Sequence, residues 1–127
     1  MVPIKILLVD DSKELLTTFT SILGTEGYHV ETATNGEGAL EKARATKFHL
    51  YILDIKLHDM RGDDLARELR NMNDNVGIIL ITGYPQLQES IDALEIGIDE
   101  ILLKPISPEE MIRVARESTN KTLTYAS

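Results

Sequence analysis

The sequence predicts an α/β domain in which strands and helices alternate as (βα)₅, doubly wound around one five-stranded parallel sheet. Three observations carry that prediction. Short apolar runs recur along the chain, nearly unbroken as in parallel strands covered on both faces. Between them lie stretches whose apolar residues fall at helical spacing. The length, 127 residues, suits one core and not two.

Residues 4–9 form the first apolar run. Over 12–26, Leu15, Leu16, Phe19, Ile22 and Leu23 share one helical stripe, which Gly27 ends. Residues 28–33 alternate less cleanly and read as an edge strand. Asn35-Gly36 is a turn and a cap for a helix reaching about Lys47, with Ala39, Leu40 and Ala43 inward. The third strand is expected over 48–53, followed by a polar loop from Asp54 to Gly62 and a helix over 63–72. Asn73-Asp74-Asn75 is turn chemistry, and 76–81 is the fourth strand. Gly83-Tyr84-Pro85 opens one helix running to about Ile96, with Ile91, Leu94 and Glu95 spaced helically and Gly97 as its cap. Glu100–Leu103 is the fifth strand. Ser107-Pro108-Glu109-Glu110 is a capping box with proline at the first helical position. That helix is expected to reach about Ser118, making 1–118 the domain and 119–127 a tail or the start of a linker.

Composition removes several function classes. Thirteen Lys and Arg against 21 Asp and Glu leave a net charge of −8, which disfavours nucleic acid and anionic membranes. No cysteine is present, so disulfides, thiolate metal sites and thiol catalysis are excluded. The start of the chain leads straight into a strand with no signal-peptide pattern, and no apolar run approaches spanning length. A soluble cytoplasmic protein is the expectation.

Polar residues follow four of the strands: Asp10 and Asp11, Asp54, Thr82, and Lys104-Pro105. Parallel strands bring these side chains to one sheet edge, the edge at which open α/β folds bind ligands. Adjacent carboxylates repel, and a third nearby raises the cost unless a cation compensates. Mg²⁺ suits such a set, since it prefers hard oxygens and binds through one or two carboxylates plus phosphate. Asp54 then reads as a carboxylate nucleophile forming an acyl phosphate. Lys104 reads as a fixed positive charge for phosphate, aimed by the restriction that Pro105 imposes on it. Taken singly, the acid pair could be a helix cap, Asp54 a loop start, Thr82 a strand end and Lys104 a solvated lysine.

These residues resemble a two-component response-regulator receiver domain over about residues 4–118. The resemblance rests on Ile6-Leu7-Leu8-Val9-Asp10-Asp11-Ser12, Asp54, Ile81-Thr82-Gly83 and Lys104-Pro105, with spacings of 44, 28 and 22 between Asp10, Asp54, Thr82 and Lys104. It implies the flavodoxin-like strand order 2-1-3-4-5. It implies that Asp54 accepts a phosphoryl group from a phosphohistidine on a sensor kinase or phosphotransfer protein. Asp10, Asp11, Asp54 and the backbone carbonyl of Lys56 would hold Mg²⁺, with Mn²⁺ as a substitute. Thr82 and Lys104 would contact the phosphoryl oxygens. The family modifies itself from small donors, dephosphorylates slowly, and is classed as regulatory rather than enzymatic. Its readout face, the fourth helix, fifth strand and fifth helix, falls here at about residues 85–117, and relatives often dimerise through it.

Two positions depart from the family pattern. Ile101 stands where many relatives carry a switching aromatic, and Tyr84 is the candidate to substitute for it alongside Thr82 and Pro105. His58 stands where many relatives have proline, and reads as a solvated loop histidine. Lys56 is expected to alter phosphoryl lifetime. Three other classes compete. A dehalogenase-like aspartyl-phosphate hydrolase would want an Asp where Lys56 stands. A flavin module would want a Ser/Thr/Gly-rich loop where Asp10-Asp11 stands. A receiver-like scaffold that takes no phosphate would have no need of the full acceptor set. Met1 so near the first strand suggests an amino-terminal place in any longer regulator, whose output the sequence does not reveal.

Overall fold

Strand and helix alternate from the first described residues onward. The computed structural model describes residues 3–73 and 75–126, with side chains through Lys121. The elements are β1 (Lys5–Val9), α1 (Lys13–Thr25), β2 (His29–Ala33), α2 (Gly36–Ala45), β3 (Leu50–Asp54), α3 (Gly62–Met72), β4 (Gly77–Thr82), α4 (Pro85–Gln88), α5 (Ala93–Ile96), β5 (Glu100–Leu103) and α6 (Pro108–Ala126). All four strand pairings are parallel, in the order β2-β1-β3-β4-β5.

Because successive strand residues point to opposite faces, the apolar runs divide into two cores. Leu7, Val9, Tyr51, Leu53, Ile78 and Leu80 pack against α2, α3 and the end of α5. Ile6, Leu8, Leu50, Ile52, Ile79 and Ile81 pack against Leu16, Phe19 and Leu23 of α1 and Met111, Val114 and Ala115 of α6. β1, β3 and β4 are therefore apolar on both faces, which is why they read as runs and not as alternations. The predicted caps at Asn35 and Ser107 hold, accepting from Gly38 N and Glu110 N, and Ser12 also caps α1 by accepting from Leu15 N. Gly27 and Gly97 take positive φ at helix ends. Of the predicted Asn73-Asp74-Asn75 turn, Asp74 lies outside the described residues, as do Met1, Val2 and Ser127; Asn75 N donates to Asn73 Oδ1 at 2.9 Å.

Two expectations are corrected. The single helix predicted from Pro85 to Ile96 is two one-turn helices, α4 and α5. Ser90 Oγ donates back to Leu87 O, and Asp92 accepts from Glu95 N, so side chains close the first turn and restart the second. Arg70 of α3 holds the end of α5, its guanidinium donating to the carbonyls of Val76, Ile96 and Gly97. The last helix does not stop near Ser118 but continues to Ala126. Ser118 and Thr119 are buried. Ser118 Oγ donates to Asp99 Oδ2 at 2.7 Å and Thr119 Oγ1 to Ala115 O at 2.8 Å, so hydroxyls line a face that apolar periodicity misses.

Candidate functional site

The parallel register places the end of every central strand at one edge. Val9 pairs with Leu53, Asp54 with Ile81, and Thr82 with Leu103. Asp10, Asp54, Thr82 and Lys104 are therefore neighbours because each ends or follows its strand. Asp10 is fully buried and Asp54 is 4% exposed; Asp11, next to Asp10, is exposed. Oxygens of the three carboxylates lie within 4.8 Å of one another.

Among the described residues, Lys104 brings a cation to this ring. Lys104 N donates to Thr82 O at 2.8 Å, which fixes the base of the side chain. Its Nζ lies 2.8 Å from Asp10 Oδ2 and 3.4 Å from Asp54 Oδ2. The Lys104-Pro105 peptide is cis. Asp10 Oδ1 accepts from Ser12 N at 2.8 Å, whereas Oδ2 is buried and has the ion-pair contact but no aligned hydrogen-bond donor. Asp54 Oδ1 accepts from Lys56 N at 3.3 Å. Burial pushes the Asp54 carboxyl above its ordinary range, and the charge of Asp10 adds to this against the opposing pull of Lys104 and the Lys56 amide. Burial opposes the charged form of Lys104, but contact with Asp10 and the charges of Asp10 and Asp54 outweigh it and raise its pKa. Three clustered carboxylates, Asp10 and Asp54 of which touch the Lys104 ammonium, form a donor set suited to a hard divalent cation.

The site opens into a cleft of about 690 Å³ walled by Lys56, Leu57, His58, Gly83 and Tyr84 beside Asp11, Asp54 and Lys104. Lys56 Nζ sits 4.3 Å from the centre of the Tyr84 ring. His58 is 85% exposed and its Nε2 lies 3.9 Å from Asp11 Oδ2, so it is the solvated loop histidine expected. Thr82 is fully buried. Its Oγ1 accepts from Tyr84 N at 3.0 Å, which leaves its own proton free to donate. Tyr84 is half-exposed, Ile101 packs partly buried against the α2 and α3 side, and Pro105 is exposed.

The sequence reading missed two residues between β3 and the first turn of α3. Asp59 reaches back to α2, accepting from Gly36 N and Glu37 N, both at 2.9 Å. Gly62 lies against the acceptor strand: a Cβ there would collide with the carbonyl of Asp54. A glycine eight residues past a strand-end acid carries no local signal of that contact.

The raised Asp54 pKa sets a pH dependence. A carboxyl whose folded pKa lies above its ordinary value of 3.8 is favourable to folding while protonated, and that advantage disappears as pH rises through the folded value. Asp54→Asn is therefore expected to stabilise the metal-free protein at neutral pH by on the order of 1 kcal/mol, roughly 4 °C in Tm. The gap should close below about pH 4, where the wild-type carboxyl is protonated in both states. Thermal melts across pH in the presence of a chelator check this, and a gap independent of pH would contradict the electrostatic cause.

Comparison with known proteins follows the same lines. The sequence matches the family described as "Response regulator receiver domain" over residues 6–116. It is 36% identical over 107 residues to the alkaline phosphatase synthesis transcriptional regulatory protein PhoP of Bacillus subtilis, covering 84% of this chain and 45% of that protein. To the transcriptional regulatory protein CusR of Escherichia coli K12 it is 34% identical over 112 residues, covering 88% of this chain and 49% of that protein. The chain thus spans about half the length of these regulators. The fold superimposes on a response regulator receiver domain protein of Methanospirillum hungatei with a TM-score of 0.92 and 31% identity, over 98% of this chain and 99% of that one. It also matches the response regulator TrrA of Thermotoga maritima, solved in complex with Mg²⁺ and BeF, with a TM-score of 0.82 and 31% identity, over 90% and 97% of the two chains. With its sheet order, its acid ring and its strand-end lysine, the chain belongs to the response regulator receiver domain family.

Proposed function

We propose that this domain accepts a phosphoryl group on Asp54 from a phosphohistidine of a sensor histidine kinase or phosphotransfer protein in the cytoplasm. The observation that carries the reading is the cluster of Asp10, Asp11 and Asp54 at one sheet edge, with Lys104 as the companion cation. A carboxylate oxygen of Asp54 forms the new O–P bond as the N–P bond of the donor breaks, and the histidine nitrogen leaves with the electron pair. Asp10 and Asp11, with Asp54 and the Lys56 backbone carbonyl, would hold Mg²⁺, with Mn²⁺ as a substitute. When bound, the ion neutralises the phosphoryl oxygens and orients the group for in-line transfer.

The chain's own residues do the rest. Lys104 offers its ammonium to the phosphoryl oxygens, and the Lys56 amide already faces Asp54 Oδ1. Thr82 can turn its hydroxyl proton toward the modified Asp54, adding a hydrogen bond at the start of the segment that holds α4 and α5. A bond gained there biases two arrangements of that segment, so a regulatory role by protein contact fits better than turnover of a substrate. The readout face expected over residues 85–117 now comprises α4, α5, β5 and the start of α6, and exposes Leu94 and Leu103 beside Tyr84, where an output domain, a partner or a second copy would read the change. The resemblance to transcriptional regulators makes an output domain on a longer chain the first partner to seek.

The test is intact mass after incubation with acetyl phosphate and Mg²⁺. One phosphoryl adduct is expected on the wild type, and none on Asp54→Asn or with a chelator. No adduct on a folded, Mg²⁺-loaded protein given acetyl phosphate or a phosphorylated histidine kinase would favour the scaffold reading.

A further inference from the structure

The loop from Ile55 to Arg61 carries two groups that matter to Asp54: the Lys56 amide, 3.3 Å from Asp54 Oδ1, and the Lys56 carbonyl. Its base is closed by Gly62 N donating to Ile55 O at 2.7 Å and by the antiparallel bridge between Lys56 and Arg61. Its tip is free of those bonds. There the Asp59 carboxylate takes two backbone amides of α2, Gly36 N on Oδ1 and Glu37 N on Oδ2, both at 2.9 Å and 23 and 22 residues away in sequence. Met60 lies over Gly36, so closely that a Cβ there would sit 2.5 Å from its Cγ.

The first turn of α2 divides its donors between two caps. Asn35, the local cap, satisfies Gly38 N at 2.8 Å. The two remaining amides, Gly36 and Glu37, go to Asp59. The helix contributes no residue to the acid ring, yet its N-terminus is the post to which the loop is tied. Burial opposes the charge on Asp59, but the Gly36 and Glu37 amides, together with those of Asp59 and Met60, outweigh it and hold the carboxyl below its ordinary pKa.

We propose that Asp59 is a positioning residue for the metal and phosphoryl chemistry of Asp54, acting by tying the loop that bears Lys56 to α2. This rests on the reading that the acid ring takes Mg²⁺. Groups that orient metal ligands through hydrogen bonds typically govern affinity by about 10–100-fold when removed. Releasing the tip leaves the Lys56–Arg61 bridge in place and loosens the Lys56 backbone only in part, so the expected loss sits at the lower end of that range.

The test uses Mg²⁺ alone, titrated into the metal-free protein and read by calorimetry, with melts on every variant. Asp59→Ala should weaken Mg²⁺ binding about tenfold. Asp59→Asn, which keeps one acceptor, should fall between Ala and wild type. Asn35→Ala is the control, because it removes a cap from the same helix end without touching the loop. Its melt should drop comparably while its Mg²⁺ affinity stays within about twofold of wild type. Equal weakening in Asn35→Ala and Asp59→Ala, or none in Asp59→Ala, would overturn the positioning role. Should Asp59→Ala fail to fold, Asp59→Asn against Asn35→Ala decides in the same way. No Mg²⁺ binding by the wild type would instead defeat the underlying reading of the acid ring.

Discussion

Replacing Lys104 by Met is expected to lower the stability of the metal-free protein by about 2–3 kcal/mol and to make that stability strongly Mg²⁺-dependent. Removing one partner of a buried ion pair typically costs about 3–5 kcal/mol, because a charge is left without compensation. The figure here is smaller because the Lys104 side chain is 26% exposed and the cleft admits water. Met keeps the apolar stem, so the change isolates the charge. Without the ammonium, Asp10 and Asp54 face each other and Asp11 with no cation from the chain. A divalent ion then becomes the sole source of compensation, and Mg²⁺ should restore most of the loss. The pH dependence has a definite sign. The folded pKa of Lys104 lies above its ordinary 10.5, so its stabilisation is present below that value and lost as pH rises through the folded one. Wild type and Lys104→Met should converge in strong alkali, where the ammonium is lost. Adduct formation from acetyl phosphate should fall about a hundredfold, as when one charge-stabilising donor is removed from a reaction site. Urea denaturation with and without Mg²⁺ checks the stability claim, and a loss that Mg²⁺ leaves unchanged would contradict it.

Gly62→Ala is expected to cost about 3 kcal/mol, at the upper end of the range for overpacking, although alanine is the better helix former. The new Cβ would sit 2.8 Å from both the Asp54 carbonyl carbon and Ile55 Cα, and would collide with the Asp54 oxygen. None of these atoms is the end of a flexible side chain. Asp54 is held in register with Ile81, and Ile55 N donates to Ile81 O at 2.9 Å. Gly62 begins α3, so the helix must back away or the acceptor strand must shift. Gly24→Ala in α1 is the contrast, since a Cβ there meets no heavy atom within 4 Å. That change should stabilise by about 0.5 kcal/mol. If the two variants have equal stability by denaturant unfolding, the close approach at Gly62 is not what fixes the glycine.

What the sequence made legible was local or periodic. Apolar runs buried on both faces needed no partner to be read, and Asn35 and Ser107 cap amides three residues ahead of themselves. The acid ring was legible because one rule, that parallel strands end at one edge, places Asp10, Asp54 and Lys104 together. Where two effects competed, the reading failed. Ile91, Leu94 and Glu95 are helically spaced, but Leu94 is 97% exposed and Asp92 restarts the helix with its own side chain. Past Ala115 the buried face of α6 is continued, among the described residues, by Ser118 and Thr119, which a hydrophobic stripe cannot reveal. Asp59 was invisible for another reason. Its partners lie 22 and 23 residues upstream, and its role exists once the chain has folded.

The central claim is that Asp54, among three clustered acids and a nearby histidine, is the residue that takes the phosphoryl group. Borohydride trapping tests it most directly. Hydride reduces an acyl phosphate at its carbonyl carbon, expels phosphate and leaves the side chain an alcohol, which peptide mass then locates. After treatment with acetyl phosphate and Mg²⁺, conversion is expected at Asp54 and absent in a chelated sample. Conversion at Asp10 or Asp11, or a phosphoryl group that resists borohydride and maps to His58, would contradict the account.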